Sequence, residues 1–202
     1  MLPRKFSMML LGPLLRGSGA DQRRTFFRKN DVIFSHGDRS VSMFYIERGS
    51  VKLTVTSPEG KEAFIGFFDT GQFFGESCLS AEMHTRVHTA TALTDVHLLK
   101  LEGSAVKHLL RTNPELAYAF ISYLLGRNAE IQYAMANNLL YSSEERLKRV
   151  LFSLASLGQT DKSARVLKLK QQDLASIIGV SRQRINVLLK RIGNRQMNSR
   201  PV

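Results

Sequence analysis

The order of apolar and polar positions divides the chain into two regimes. Between Thr25 and Leu101 it has the pattern of short strands. Val32-Ile33-Phe34 and Met43-Phe44-Tyr45-Ile46 are compact β-rich runs, and residues 51–56 alternate apolar with polar side chains, as a half-buried strand does. Further strands are expected at residues 62–68, 87–93 and 96–101. Turn residues punctuate the series at Gly37-Asp38, Arg48-Gly49, Pro58-Glu59-Gly60 and Thr70-Gly71. These glycines fall 12, 11 and 11 residues apart, the rhythm of an antiparallel barrel, jelly roll or sandwich.

The period then lengthens. Residues 104–110 read as a short helix, and Asn113-Pro114 is a helix start with Asn as cap and Pro at the first helical position. Ala117, Ile121, Leu124, Asn128, Ile131, Met135 and Asn138 follow at alternating steps of four and three, the seam of a coiled coil. A helix pairing with a second copy is expected here. The same stripe could instead pack on its own domain. Ser142 and Glu145 fit a capping box at the head of a further helix, with Leu147, Val150, Leu151, Leu154 and Ala155 as its buried stripe. Residues 158–165 are expected to be a loop and 166–169 a brief strand.

The last segment is the most specific. Residues 171–178 form a short amphipathic helix, Gly179-Val180 a turn, and Ser181 caps a second helix over 182–192. Ala175 is small where two helices must approach closely, and Ile178, Val180, Ile185, Leu188 and Leu189 would bury the joint. Ser181, Arg182, Gln183, Arg184 and Asn186 then stand at the front of the second helix, the part a recognition helix offers to base edges. Arg suits guanine, and Gln or Asn suit adenine. Lys190, Arg191 and Arg195 suit phosphates. An ordinary helical hairpin with a solvated basic face is the competing explanation.

Charge sharpens this. The net charge is +12, and residues 142–202 carry 13 Lys/Arg against 4 Asp/Glu, whereas residues 30–141 carry 9 against 12 and residues 1–29 carry 7 against 1. A basic terminal module is what a polyanion binder needs. Cys78 stands alone, which excludes a disulfide framework within the chain and an iron–sulfur cluster held by several of its thiolates. The apolar run 8–15, interrupted by Gly12 and Pro13, is too short to span a bilayer, and no small-residue cleavage site follows it. A cytoplasmic protein without membrane contact is expected. The five histidines include no His-x-His and no Ser/His/Asp order stands out, so no catalytic or metal-binding set is expected and the protein is read as a non-enzyme.

With both halves read, the chain resembles the Crp/Fnr-type transcription regulators over about residues 25–192. The resemblance rests on His36-Gly37-Asp38, on the run from Phe44 to Lys52, on Gly71-Gln72-Phe73-Phe74-Gly75-Glu76, on Asp173-Leu174-Ala175 and on Gly179-Val180-Ser181-Arg182. It implies an α+β chain. An N-terminal antiparallel β-roll, jelly-roll-like, would span 1–112 with a basic N-terminal extension, followed by a dimerisation helix over 113–141 and a helix-turn-helix domain over 142–202. It implies a homodimer on a palindromic double-stranded DNA operator, a small effector in the roll, and RNA polymerase as a candidate further partner.

The family's phosphate cassette maps onto Gly75, Glu76 and Arg86, which makes a cyclic nucleotide a candidate effector; no other cofactor is implied. Val87 stands where cyclic-AMP binders of this kind carry Ser or Thr, and Ile131 and Gln132 where the cyclic-AMP receptor has two hydroxyl residues. Arg86 could alternatively be a structural arginine paired with Glu76. Gln183 replaces a common Glu, Val187 a second Arg, and Lys170 a common Thr or Ser helix cap. After 192 only Met197 and Val202 are apolar, little for the family's β-hairpin wing. The second function these departures allow is a small-molecule-sensing dimer with impaired or absent sequence-specific DNA binding.

Overall fold

The computed structural model describes residues 22–60, 62–160 and 171–197. The chain forms two compact units, one running to Ala129 and one from Glu130, with the short segment Glu62–Phe64 grouped with the second.

The first unit is a roll of two four-stranded sheets. Its strands are β1 (Gln22–Phe27), β2 (Val32–Phe34), β3 (Ser42–Arg48), β4 (Ser50–Thr56), β5 (Glu62–Asp69), β6 (Phe73–Phe74), β7 (Thr89–Ala92) and β8 (Val96–Glu102). One sheet has the order β1-β8-β3-β6 and the other β2-β7-β4-β5. Every pairing described is antiparallel. Helices α1 (Gly103–Thr112) and α2 (Pro114–Leu140) follow.

The first sheet is buried on both faces, and this explains its doubled apolar residues. Successive side chains of a strand point to opposite sides. Phe44, Ile46, Phe74, Val96 and Leu98 therefore face the second sheet and pack with Val51, Leu53, Phe68, Ala90 and Ala92. Met43, Phe73, Leu99 and Leu101 face the other way, onto Val106 of α1 and Leu116, Phe120 and Tyr123 of α2. Each such fully buried side chain contributes roughly 1.5–3 kcal/mol. Lone Cys78 lies in this second cluster, and burial pushes its thiol up to about 11. It is a packed, unreactive thiol at neutral pH.

Gly49 turns the chain between β3 and β4 at φ 97°, and a Cβ there would fall on the carbonyl of Asp95. Only glycine satisfies both demands.

α2 begins where expected, with the Asn113 side chain accepting from the Leu116 amide at 3.0 Å. Of the seven seam positions, Ile121, Asn128, Ile131, Met135 and Asn138 are exposed, as are Leu125 and Leu139 beside them, while Ala117 and Leu124 are half-buried. The roll takes the face of Leu116, Phe120 and Tyr123, and at about 100° per residue that face also covers the edge holding 117 and 124.

The second unit holds the end of α2, α3 (Ser143–Thr160), α4 (Gln171–Ile178) and α5 (Arg182–Met197). The capping box forms as expected: the Glu145 carboxylate accepts from the Ser142 amide at 2.9 Å, and Ser142 Oγ accepts from the Glu145 amide at 3.4 Å. Leu147, Leu174, Ala175, Ile178, Ile185 and Leu188 make the core, flanked by Val150, Leu151, Val180, Leu189 and Ile192.

Two expectations are corrected. α3 continues to Thr160 through Gly158, where a loop was expected, since one interior glycine costs a helix only about 1 kcal/mol. α5 continues through Gly193 to Met197, because Arg195, Gln196 and Met197 are good helix formers. The rest of the expected loop, 161–165, the expected strand at 166–169, Lys170, the N-terminal extension 1–21 and the last residues, 198–202, lie outside the described residues.

Tyr123 ties α2 to the roll. Its hydroxyl donates to the Phe73 carbonyl at 2.9 Å and accepts from the Phe73 amide at 3.2 Å. Tyr123→Phe leaves both buried backbone groups unpaired, and a urea titration followed by far-ultraviolet circular dichroism is expected to show a loss of about 2 kcal/mol.

Candidate functional site

The roll residues singled out by sequence are brought together at the end of β6. Gly75 follows the buried pair Phe73-Phe74 and adopts φ 80°. Glu76 then opens a 3₁₀ turn, Glu76–Leu79. A Cβ on Gly75 would stand 2.8 Å from Nη1 of Arg86, so the backbone forms a close wall beside the guanidinium.

Arg86 is 3% exposed. Its Nη1 donates to the Gly75 carbonyl at 2.9 Å and its Nη2 to the Ser42 carbonyl. The guanidinium carbon lies 4.2 Å from the centroid of the Phe34 ring and 5.8 Å from that of Phe44. Phe34, Phe44 and Phe74 stack on one another beneath it. Burial pulls the guanidinium below its ordinary range, opposed by nearby Cys78, Asp38 and Glu76. Arg86 is thus held by carbonyls and rings, not by a pair with Glu76, and this corrects the structural alternative weighed for it. Ser42, Phe34 and Phe44 went unrecognised, because carbonyl acceptors and ring faces leave no residue-type signature.

Two features of this corner suit an anion. The buried Nε of Arg86 has no partner. An arginine against a glycine backbone is also an arrangement that accommodates close phosphate approach. A cyclic phosphate there would take Nη donors now held by two carbonyls. Val87, next in the chain, is 41% exposed and adds no hydroxyl. Burial holds His88, close by, below its ordinary value, with Glu76 raising it and His36 lowering it further. Ile131 and Gln132 are exposed residues of α2 in the other unit.

The helix-turn-helix residues occupy a second surface. Gly179 makes the turn at φ 73°, and the Val180 amide donates to the Ala175 carbonyl at 3.0 Å. Ala175 is 1% exposed, so a larger residue would push α4 and α5 apart. Ser181 caps α5, its Oγ accepting from the Arg184 amide at 3.3 Å. Ser181, Arg182, Gln183, Arg184 and Lys190 are exposed, and Asn186 is half-buried. Val187, 44% exposed, shares their side. A positive helix N-terminus carrying two arginines is an anion-seeking surface.

Between α2 and α3 two arginines brace the bend. Arg146 Nη1 donates to the Asn138 carbonyl and side-chain oxygen, at 3.1 and 3.2 Å. Arg149 lies 3.8 Å above the Tyr141 ring. Among the described residues no group of three or more His, Cys, Asp or Glu could hold a metal ion, and no helix is long and apolar enough to cross a membrane.

Comparison with known proteins shows what this arrangement is similar to. Residues 24–113 match the cyclic nucleotide-binding domain. The chain is 22% identical over 175 residues to the cAMP-activated global transcriptional regulator CRP of Salmonella typhimurium, spanning 86% of this chain and 83% of that one. The first unit thus matches a cyclic nucleotide-binding domain, and most of the chain is similar to Crp/Fnr-type regulators. The Crp/Fnr match extends to the cAMP-activated global transcriptional regulator Vfr of Pseudomonas aeruginosa, 24% identical over 173 residues, 83% of this chain and 80% of Vfr. Among solved structures, CLP of Xanthomonas campestris has the same fold with a TM-score of 0.77 at 22% identity, over 92% of each chain. A Crp/Fnr-family transcriptional regulator of Thermus thermophilus does so with a TM-score of 0.68 at 23% identity, over 86% of this chain and 87% of that one. The α+β Crp/Fnr roll with a helical C-terminal region is therefore the fold of this chain.

Arg86→Ala is expected to lower roll stability by about 2–4 kcal/mol, because the Gly75 and Ser42 carbonyls lose their donors. Arg86→Lys should recover only part of it, since one ammonium cannot fork between two carbonyls across two rings. Chemical denaturation of the three proteins side by side checks both statements.

Proposed function

We propose that the protein is a homodimeric, DNA-binding transcription regulator, not an enzyme, working in the cytoplasm and switched by a small effector in its β-roll. The observation that carries this reading is α5. Arg182, Gln183 and Arg184 stand exposed on its Ser181-capped first turn, while Ile185 and Leu188 of the same helix are fully buried. A rigid backing with a polar, cationic front is what major-groove readout requires. The concentration of positive charge in residues 142–202 supports it.

In this reading residues 1–112 sense, 113–141 pair two copies, and 142–202 bind a palindromic operator. RNA polymerase is the partner that a regulator so placed would engage. The exposed stripe of Ile121, Leu125, Met135 and Leu139 supports pairing, because apolar side chains at coiled-coil spacing bury well only against a second helix.

A cyclic nucleotide is the effector class that suits the roll. CRP and Vfr carry names that describe them as cAMP-activated, and CLP is described as c-di-GMP responsive. Here Gly75 and Arg86 would meet the phosphate and Glu76 a ribose hydroxyl. When bound, the nucleotide supplies charge that competes for Arg86; this chain's own part is to release the guanidinium from the carbonyls of Gly75 and Ser42. Val87, Ile131 and Gln132 bring no hydroxyl to it, so discrimination among nucleotides would rest on other groups.

The alternative is a sensing dimer with impaired DNA recognition. Exposed Val187 favours it, an apolar residue where relatives have an arginine. Selection of randomised duplex DNA by the purified full chain, with and without cyclic AMP, cyclic GMP or cyclic di-GMP, separates the two. Enrichment of an inverted repeat whose affinity falls steeply with salt is expected. Arg182→Ala should then cost about tenfold or more in operator affinity, the range of a lost base contact. No enrichment at low salt would establish the alternative. Leu125→Glu, with its side chain 64% exposed, is expected to shift the sedimenting species from dimer to monomer while leaving circular dichroism intact.

A further inference from the structure

Among its described side chains, helix α5 carries one apolar residue on its exposed side. Among its described residues, Val187 alone is both apolar and exposed, and it is absent from the cluster that holds α4 and α5 together. At about 100° per residue, Gln183, Asn186, Val187 and Lys190 fall within an arc of about 100°, opposite buried Ile185 and Leu188. Val187 ends that arc, and exposed Arg191 and Arg184 lie beyond it, so polar side chains border Val187 on both sides. It lies one turn beyond Gln183, about 6 Å along the axis, close to two base-pair steps.

In the major groove the base edges offer one apolar feature, the C5 methyl of thymine. Gln183 and Asn186, which share this front with it, are side chains whose paired donor and acceptor match adenine. An isolated valine on the same front as two amides thus forms a coherent reader of A·T-containing sequence. It also gives Val187 a role other than that of a missing arginine. We propose that Val187 is a specificity-determining residue of the DNA site and packs against a thymine methyl one or two steps from the base read by Gln183. This rests on the DNA-binding reading above.

The test uses the full chain and the duplex enriched by it. Each thymine is replaced in turn by deoxyuridine, which removes only the C5 methyl. One position per half-site is expected to lose about fourfold in affinity, the worth of one buried methyl group. Val187→Ala, an exposed helical substitution that leaves the core untouched, should bind the thymine duplex more weakly and become indifferent to deoxyuridine at that position. Uniform indifference of the wild-type protein to deoxyuridine overturns the proposal while leaving DNA binding intact. So does a deoxyuridine penalty that Val187→Ala retains in full, since another side chain would then hold the methyl. Failure to enrich any duplex removes both this proposal and the function on which it rests.

Discussion

Burial of the β1-β8-β3-β6 sheet on both of its faces is the constraint from which the first unit follows. A sheet wet on one side would alternate apolar with polar residues and would need no cover. This one places Phe73 and Phe74, or Leu98 and Leu99, on opposite sides of the same layer. The second sheet covers the inner side. The outer side requires helices, and α1 and α2 supply them. The position of α2 is therefore a by-product of sheet burial, and the Tyr123 hydroxyl adds a polar lock to an apolar contact. Because β6 leads directly into Gly75, the strand carrying that lock also carries the anion corner.

Arg86 shows how a charge can be kept inside such a roll. Desolvation of a guanidinium is expensive unless its donors are met. Two carbonyls and two phenyl faces meet most of the requirement, and the Nε is left over. The corner is thereby structural in its own right. The same groups that stabilise the arginine without a ligand are those an anion would have to displace, so affinity there is a difference between two well-satisfied states.

Elements with a local signal were legible in the sequence. The Asn113 cap, the Ser142–Glu145 box and the Gly179 turn each follow from residues within four positions of one another, and each was placed correctly. The strands with an apolar majority were found, although β1 was entered late, from Thr25, and two-residue β6 was not named. Periodicity alone does not separate the two faces of α2 near its start: five of the seven seam positions are exposed, but Ala117 and Leu124 are half-buried, since the roll claims that edge. Helix ends were set too early at Gly158 and Ile192, because glycine marks a helix end only statistically. The environment of Arg86 was out of reach, since backbone carbonyls belong to every residue and identify none. The exposure of Arg182, Gln183 and Arg184, by contrast, was implied by the burial of Ile185 and Leu188 on one helical face.

The braced bend after Asn138 has a mechanical consequence. Arg146 grips the final turn of α2 through a carbonyl and an amide side chain, and Arg149 clamps Tyr141. A joint secured at two points resists swivelling, so α3 takes its bearing from the stem it leaves. Both fastenings reach back from α3 itself, so the first turns of α3 and the last turn of α2 hold one local geometry where a slack joint would wobble.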